Sequence, residues 1–221
     1  YDFPARSSYF GIIDLAGFPK DIYYMYQSEW TSRPVLHLFP HWNWLDGQEI
    51  DLWCYYNNAD EVELFVNGRS QGTRRKTAGA TASLSGSAYH VGWRVRYEPG
   101  EIKVVARQAG KVVGEQTRHT AGQPSTLHLN IDYRGRDLSF VFVDVCDDRG
   151  TICPHSDDQV FFTAADGLEI VAVDNGCPFS MERFKDDKRH AYHGRCMVVV
   201  RGKGTLTARS YGLKPQNITI Q

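Results

Sequence analysis

The 221-residue sequence has no apolar run approaching the roughly 20 residues a membrane-spanning helix needs. It has no excess of either charge, with 25 Lys and Arg against 26 Asp and Glu, and no long basic run. These absences argue against a membrane or a nucleic acid as partner. Low-complexity segments and evident internal repeats are also missing. Cysteines are few and odd in number (Cys54, Cys146, Cys153, Cys177 and Cys196), so at least one thiol is free or paired outside the chain. A chain of this size does not need disulfide staples. Cys54 and Cys146 fall in apolar strand-like runs and read as small buried thiols. The start, YDFPARSS, lacks both a Met and a signal-peptide pattern, and the expectation is a cut inside a longer protein.

What is present suffices for one large domain or two of about 100 residues, because 42% of the residues are hydrophobic. The first thirty-odd residues stand apart. In GFPKDIYYMYQSEW, Pro19 suits a first helical turn. Ile22, Met25, Tyr26 and Trp30 then follow the spacing of one buried helix face. Arg33-Pro34 ends the helix. A lone helix cannot bury its own stripe, so a partner surface is expected.

From Val35 the period changes to two. Ile50, Leu52, Cys54 and Tyr56 share one face, as do Val62, Leu64 and Val66, and then Ile102, Val104 and Ala106. Asn57-Asn58, Asn67-Gly68, Pro99-Gly100 and Ala109-Gly110 supply turns between these runs. Thr120 to Pro124 reads as a linker. A second series of strands follows in TLHLNIDY, DLSFVFVDV, QVFFTA, LEIVAVDNG, CMVVVRG, TLTARSYG and NITIQ. DLSFVFVDV is apolar on both faces, the mark of a central strand lying beneath other structure. Short alternating strands at this spacing predict an all-β chain of two immunoglobulin-like antiparallel β-sandwiches in tandem, 35–120 and 124–221, behind a helical stub.

One stretch, DNGCPFSMERFKDDKRHAYHGRC (174–196), has the look of a ligand set, with His190, His193 and Cys196 three apart and Cys177 upstream. Zinc would need all of these side chains to converge on one point. Positions three apart on a strand alternate faces, so the expectation is no metal. Asp174 and Asn175 are suited to capping local N–H groups, and Glu182 with Arg189 to pinning the loop.

Several segments together resemble glycoside hydrolase family 2, the β-galactosidase family. ARSSYFGIIDLAGFPKDIYYMYQSEW is similar to the closing strand–helix segment of that family's catalytic barrel. HLFPHWNW, DEVELFVNGRSQG and VRYEPGEIKVVA look like the sandwich that follows the barrel. VDNGCPFSMERFK, RHAYHGRC and TARSYGL look like the terminal sandwich. The resemblance implies that residues 1–34 are a TIM-barrel remnant and that the sandwiches are a non-catalytic accessory region bracing the barrel. The parent would be a retaining β-galactosidase-like enzyme, periplasmic or extracellular, that uses no cofactor. Such enzymes need two carboxyl groups roughly 5 Å apart. The family's acid/base follows an Asn, yet no Asn-Glu pair occurs here, so no catalytic residue is expected in this chain.

The expected partner is the barrel of the same polypeptide, with a homo-oligomer also compatible. Ser8 and Phe10 would lie in the last barrel loop, either as a substrate wall or as ordinary packing. Trp42 and Trp44, two apart, would share a side of an extended segment. There they would form a platform for an oligosaccharide or seal a sandwich–barrel interface. The alternative function is therefore a carbohydrate-binding module around Trp42 and Trp44, and a third is an adhesive tandem.

Overall fold

The computed structural model describes residues 9–78, 83–84 and 86–221. It divides into two compact units: Pro19–Thr120, and Ala121–Gln221 together with the described part of the segment ending at Phe18. The segment expected as 1–34 is thus shared between the two units.

The unit Pro19–Thr120 opens with helix α1 (Asp21–Trp30). A three-stranded antiparallel sheet contains β1 (Leu36–Phe39), β2 (Glu49–Tyr56) and β5 (Val91–Arg96), in the order β1-β2-β5. The facing sheet contains β3 (Glu61–Val66), β4 (Arg69–Arg74), β6 (Glu101–Gln108) and β7 (Lys111–His119), in the order β4-β3-β6-β7. The three runs read from alternation bury the residues expected, with Leu52, Cys54, Val62, Leu64, Ile102 and Val104 all inaccessible to solvent. Asn67 and Gly68 both have positive φ, which closes the β3–β4 hairpin. The Asn67 side chain also accepts from the Glu101 N–H (2.8 Å) and donates to the Pro99 carbonyl (3.2 Å), tying that hairpin to the next turn.

Helix α1 corrects the expected stripe. Ser28 is its only buried residue, and Trp30 is 75% exposed. The docked side instead carries Asp21, Tyr24 and Ser28. The Tyr24 ring stacks on buried His37 (3.8 Å between centroids), whose Nε2 lies 2.7 Å from the Asp21 carboxylate. Lys76 reaches Glu29 at 2.6 Å. Asn57 then donates to the carbonyls of Thr31 and Arg33 and accepts from the Val35 N–H, fastening the helix exit to the sandwich.

In the other unit, β8 (Thr126–Arg134), β9 (Leu138–Cys146), β11 (Glu169–Asp174) and β13 (Arg195–Arg201) form one sheet, ordered β11-β13-β9-β8. Its mate contains β10 (Gln159–Ala165), β12 (Lys188–His190), β14 (Gly204–Arg209) and β15 (Gln216–Ile220), ordered β12-β10-β14-β15. Val141, Val143 and Val145 of β9 point into the core between the sheets. Phe140 and Phe142 join Met197 and Val199 on the outer face, where Ala16 and Phe18 cover them. β9 is therefore covered on both sides, as its composition predicts.

The boundary between the two units falls at Thr120/Ala121, within the segment read as a linker, and the chain just after it is anchored. Asp147 is fully inaccessible. Its carboxylate accepts from the N–H groups of Gly122 (2.9 Å), Arg149 (2.9 Å) and Thr151 (2.8 Å), and from the Arg149 guanidinium. Burial alone would push this carboxyl up, but those donors outweigh it and hold it below the ordinary aspartate range. All five cysteines are buried and unpaired. Burial pushes the thiols of Cys54 and Cys146 up to about 12 and that of Cys153 up to about 11.

Three outcomes are expected. Amide exchange at Met25 and Tyr26 should be slowed in the isolated chain and accelerated by Tyr24→Ala; free exchange across 21–30 in the unsubstituted chain would contradict the docked helix. Asp147→Ala removes the acceptor of three part-buried N–H groups and should cost about 1–3 kcal/mol in urea unfolding at neutral pH. Because the folded carboxyl is depressed, its contribution is present above the unfolded pKa of about 3.9 and fades as pH falls through the folded value. The gap between the two proteins should accordingly close only in acid. Ellman's reagent should modify the native chain slowly at pH 8 and all five thiols in denaturant.

Candidate functional site

The 174–196 stretch folds as a pinned loop. Asp174 Oδ1 accepts from the N–H groups of Asn175 (2.7 Å) and Gly176 (3.1 Å), while Asn175 Oδ1 accepts from Cys177 (3.0 Å). Gly176 has φ +73°, and a Cβ there would run into the Asp14 carboxylate. Arg189, only 1% exposed, donates to Asn175 Oδ1 (2.8 Å), Asp174 Oδ1 (3.3 Å) and the Glu182 carbonyl (3.3 Å). Its Nε lies 3.6 Å from Glu182 Oε2. Partial burial pushes the Glu182 carboxyl up, but bonds from the His190 ring and backbone N–H, with the Arg189 charge, bring it below its ordinary value.

The residues with ligand spacing do not meet. His190 is held on Glu182 at 2.8 Å, His193 is exposed in a turn at φ +53°, and Cys196 lies in the core between the sheets. Among the described residues, no group of three or more His, Cys, Asp or Glu side chains is placed to hold a metal ion.

Trp42 and Trp44 also part company. Trp42 is 1% exposed, packs edge-on against Tyr97 (4.9 Å), and donates its indole N–H to the Glu98 carbonyl. It belongs to the core of the Pro19–Thr120 unit and offers no face to a sugar, so the two-ring platform is not formed. Residues 40–48 are not a strand, and i, i+2 spacing therefore does not set side-chain direction there. Trp44 is half-buried: its indole N–H donates to the His41 carbonyl (2.8 Å), and the His41 ring stacks on it at 4.6 Å. Of the barrel-loop candidates, Ser8 lies outside the described residues and Phe10 is 86% exposed.

Trp44 instead lines an open cleft of about 350 Å³ with Pro40, Gln48, Glu49, Ile50, Asp51 and Arg94. On its floor, Arg94 grips Asp51 through two parallel bonds (Nε to Oδ1 2.7 Å, Nη2 to Oδ2 2.9 Å). That grip holds the Asp51 carboxyl below its ordinary value. Sequence reasoning missed Asp51 and Arg94. The available signal was the antiparallel register of β2 on β5, which sets Glu49 opposite Arg96 and Asp51 opposite Arg94.

The comparisons agree with this architecture. Residues 125–219 match glycoside hydrolase family 2 C-terminal domain 5, and residues 47–114 match a domain of unknown function, DUF4982. A β-galactosidase of Bacteroides ovatus is 57% identical across 100% of this chain, which covers 26% of that protein. A β-glucuronidase of Formosa agariphila is 25% identical over 96% of this chain, which covers 22% of it. Among solved structures, a β-glycosidase from Bacteroides vulgatus superposes with a TM-score of 0.89 at 31% identity, over 100% of this chain and 29% of that one. The chain thus spans about a quarter of the length of the curated relatives it matches. With a family 2 terminal domain in the second sandwich and whole-chain similarity to family 2 enzymes, this chain is a C-terminal region of a glycoside hydrolase family 2 protein.

Proposed function

We propose that the chain is the non-catalytic accessory region of a β-galactosidase-like retaining glycosidase and braces the catalytic barrel of the same polypeptide. The observation that carries this reading is apolar surface left uncovered on the elements that resemble the barrel's end. Trp30 of α1 is 75% exposed, and Leu15 in the segment before it is 51% exposed. An indole left this open to water is suited to packing against a further surface. The 57% identity to the B. ovatus β-galactosidase supports the activity assigned to the parent. The catalytic carboxyl pair would come from the barrel, because no Asn-Glu pair exists here. A periplasmic or extracellular parent is compatible with five unpaired cysteines because every one of them is buried.

Trp30→Glu tests the bracing role. In the isolated chain an exposed substitution should change stability by no more than about 0.5 kcal/mol. In the parent protein, expressed from the full reading frame, the same change should lower the temperature of heat inactivation by several degrees. An unchanged parent would overturn the docking role of α1. The isolated chain should not hydrolyse nitrophenyl β-galactoside, and turnover by it would overturn the non-catalytic assignment.

A further inference from the structure

The open cleft beside Trp44 has a chemistry that bracing does not require. We propose that Trp44, Gln48, Glu49, Asp51 and Arg94 form a binding site for a single neutral hexopyranose unit, such as the end of an oligosaccharide. The inference stands apart from the accessory role, since a brace and a sugar site use different residues.

Four observations converge. The cleft, at about 350 Å³, lies at the small end of the range for ligand sites and suits one ring better than a chain. One wall is the Trp44 indole; the His41 ring stacks on one side of it, and the ring surface that lines the cleft is what the apolar C–H face of a pyranose would meet. That indole is held in place before any ligand arrives, by its bond to the His41 carbonyl and the stacked His41 ring. A fixed platform loses little freedom on binding.

The polar side of the cleft is the Asp51–Arg94 fork, whose side chains remain 36% and 58% exposed. A guanidinium carries five N–H donors, and the fork uses Nε and Nη2. The remaining donors and the outer carboxylate lone pairs stand side by side. That arrangement suits vicinal hydroxyls, each of which donates one hydrogen bond and accepts another. Gln48 adds an amide, although its Oε1 also accepts from the Leu45 N–H at 3.3 Å.

Charge selects the class of sugar. Glu49 and Asp51 stand opposite Arg96 and Arg94 across the β2–β5 register, so the charges on this face balance and the cleft suits a neutral sugar.

The test is a nuclear magnetic resonance titration of the 221-residue chain, following the Trp44 indole and Arg94 Nε resonances. The probes are methyl β-galactopyranoside, lactose and methyl β-glucuronide. A neutral glycoside should shift both resonances saturably with a Kd of roughly 1–10 mM, the weak range of a small open site. Arg94→Gln, a change at an exposed pair that leaves the fold intact, should weaken binding at least about fivefold. Trp44→Ala should abolish it. The glucuronide should bind more weakly than either neutral sugar. No saturable shift at roughly tenfold above that range, undiminished affinity in Arg94→Gln, or glucuronide binding as tight as galactoside would each overturn the site.

Discussion

A β-strand that is apolar on both faces cannot end a protein's layering, and β9 is such a strand. Its inward valines are satisfied by the facing sheet, but Phe140 and Phe142 would otherwise look into water with Met197 and Val199. The segment ending at Phe18 resolves this. Phe18 meets Phe142 at 4.3 Å between ring centroids, and the Arg195 guanidinium lies 4.7 Å from the Phe18 ring on its way to Asp144. Burying one such ring is worth roughly 2 kcal/mol, so the contact is a structural third layer rather than a loose flap. Local geometry keeps that layer in place. Asp14 Oδ1 accepts from the Phe18 N–H (2.9 Å), and the Asp14 N–H donates back to the Phe18 carbonyl (3.1 Å). Gly176, lacking a Cβ, lets the Asp14 carboxylate come in against the 174–196 loop. Coverage of β9 and the pinning of that loop are therefore one arrangement.

Arg189 illustrates why the loop's sequence is so distinctive. A guanidinium removed from water is costly unless its donors find partners, and a buried ion pair is no guarantee of net stability. Here Asp174, Asn175 and Glu182 are held at fixed positions around it, each also bonded to backbone groups of the same loop. Breaking any one leaves the others poorly satisfied, which favours a single loop conformation over many. The spacing of His190, His193 and Cys196 follows from a short strand, a turn and a re-entering strand.

How much could be read in advance depended on burial. The central strands β2, β3, β6 and β9 alternate because one face or both are enclosed, and their core residues were legible. The edges β4 and β7 carry almost no buried positions, so hydrophobic period could not mark them. β5 was missed although Val91, Trp93 and Val95 alternate inward. In α1 the aromatic spacing correctly marked a helix but assigned its docked face wrongly. Tyr24 reaches the sandwich through a stacked imidazole, while buried Ser28 turns its hydroxyl back to the Met25 carbonyl of its own helix, and a hydrophobicity pattern weighs neither. Trp42 and Trp44 failed for a different reason: the rule relating i to i+2 belongs to strands, and their segment is an irregular loop.

The same contrast separates family identity from chemistry in this chain. Asn67-Gly68 and Asp174 to Gly176 sit in the segments that carry the family resemblance, and Asn67, Gly68 and Gly176 hold positive φ there. Such positions say nothing about a sugar. The cleft at Trp44 is written in another register, as outward side chains on β2 and β5 that the fold itself does not need. An exposed Asp51–Arg94 pair adds little to stability, and Trp44 contributes only part of its surface to the core. Solved structures named as a β-glycosidase and as a β-glucuronidase superpose on this fold, so the sandwich by itself leaves sugar choice open.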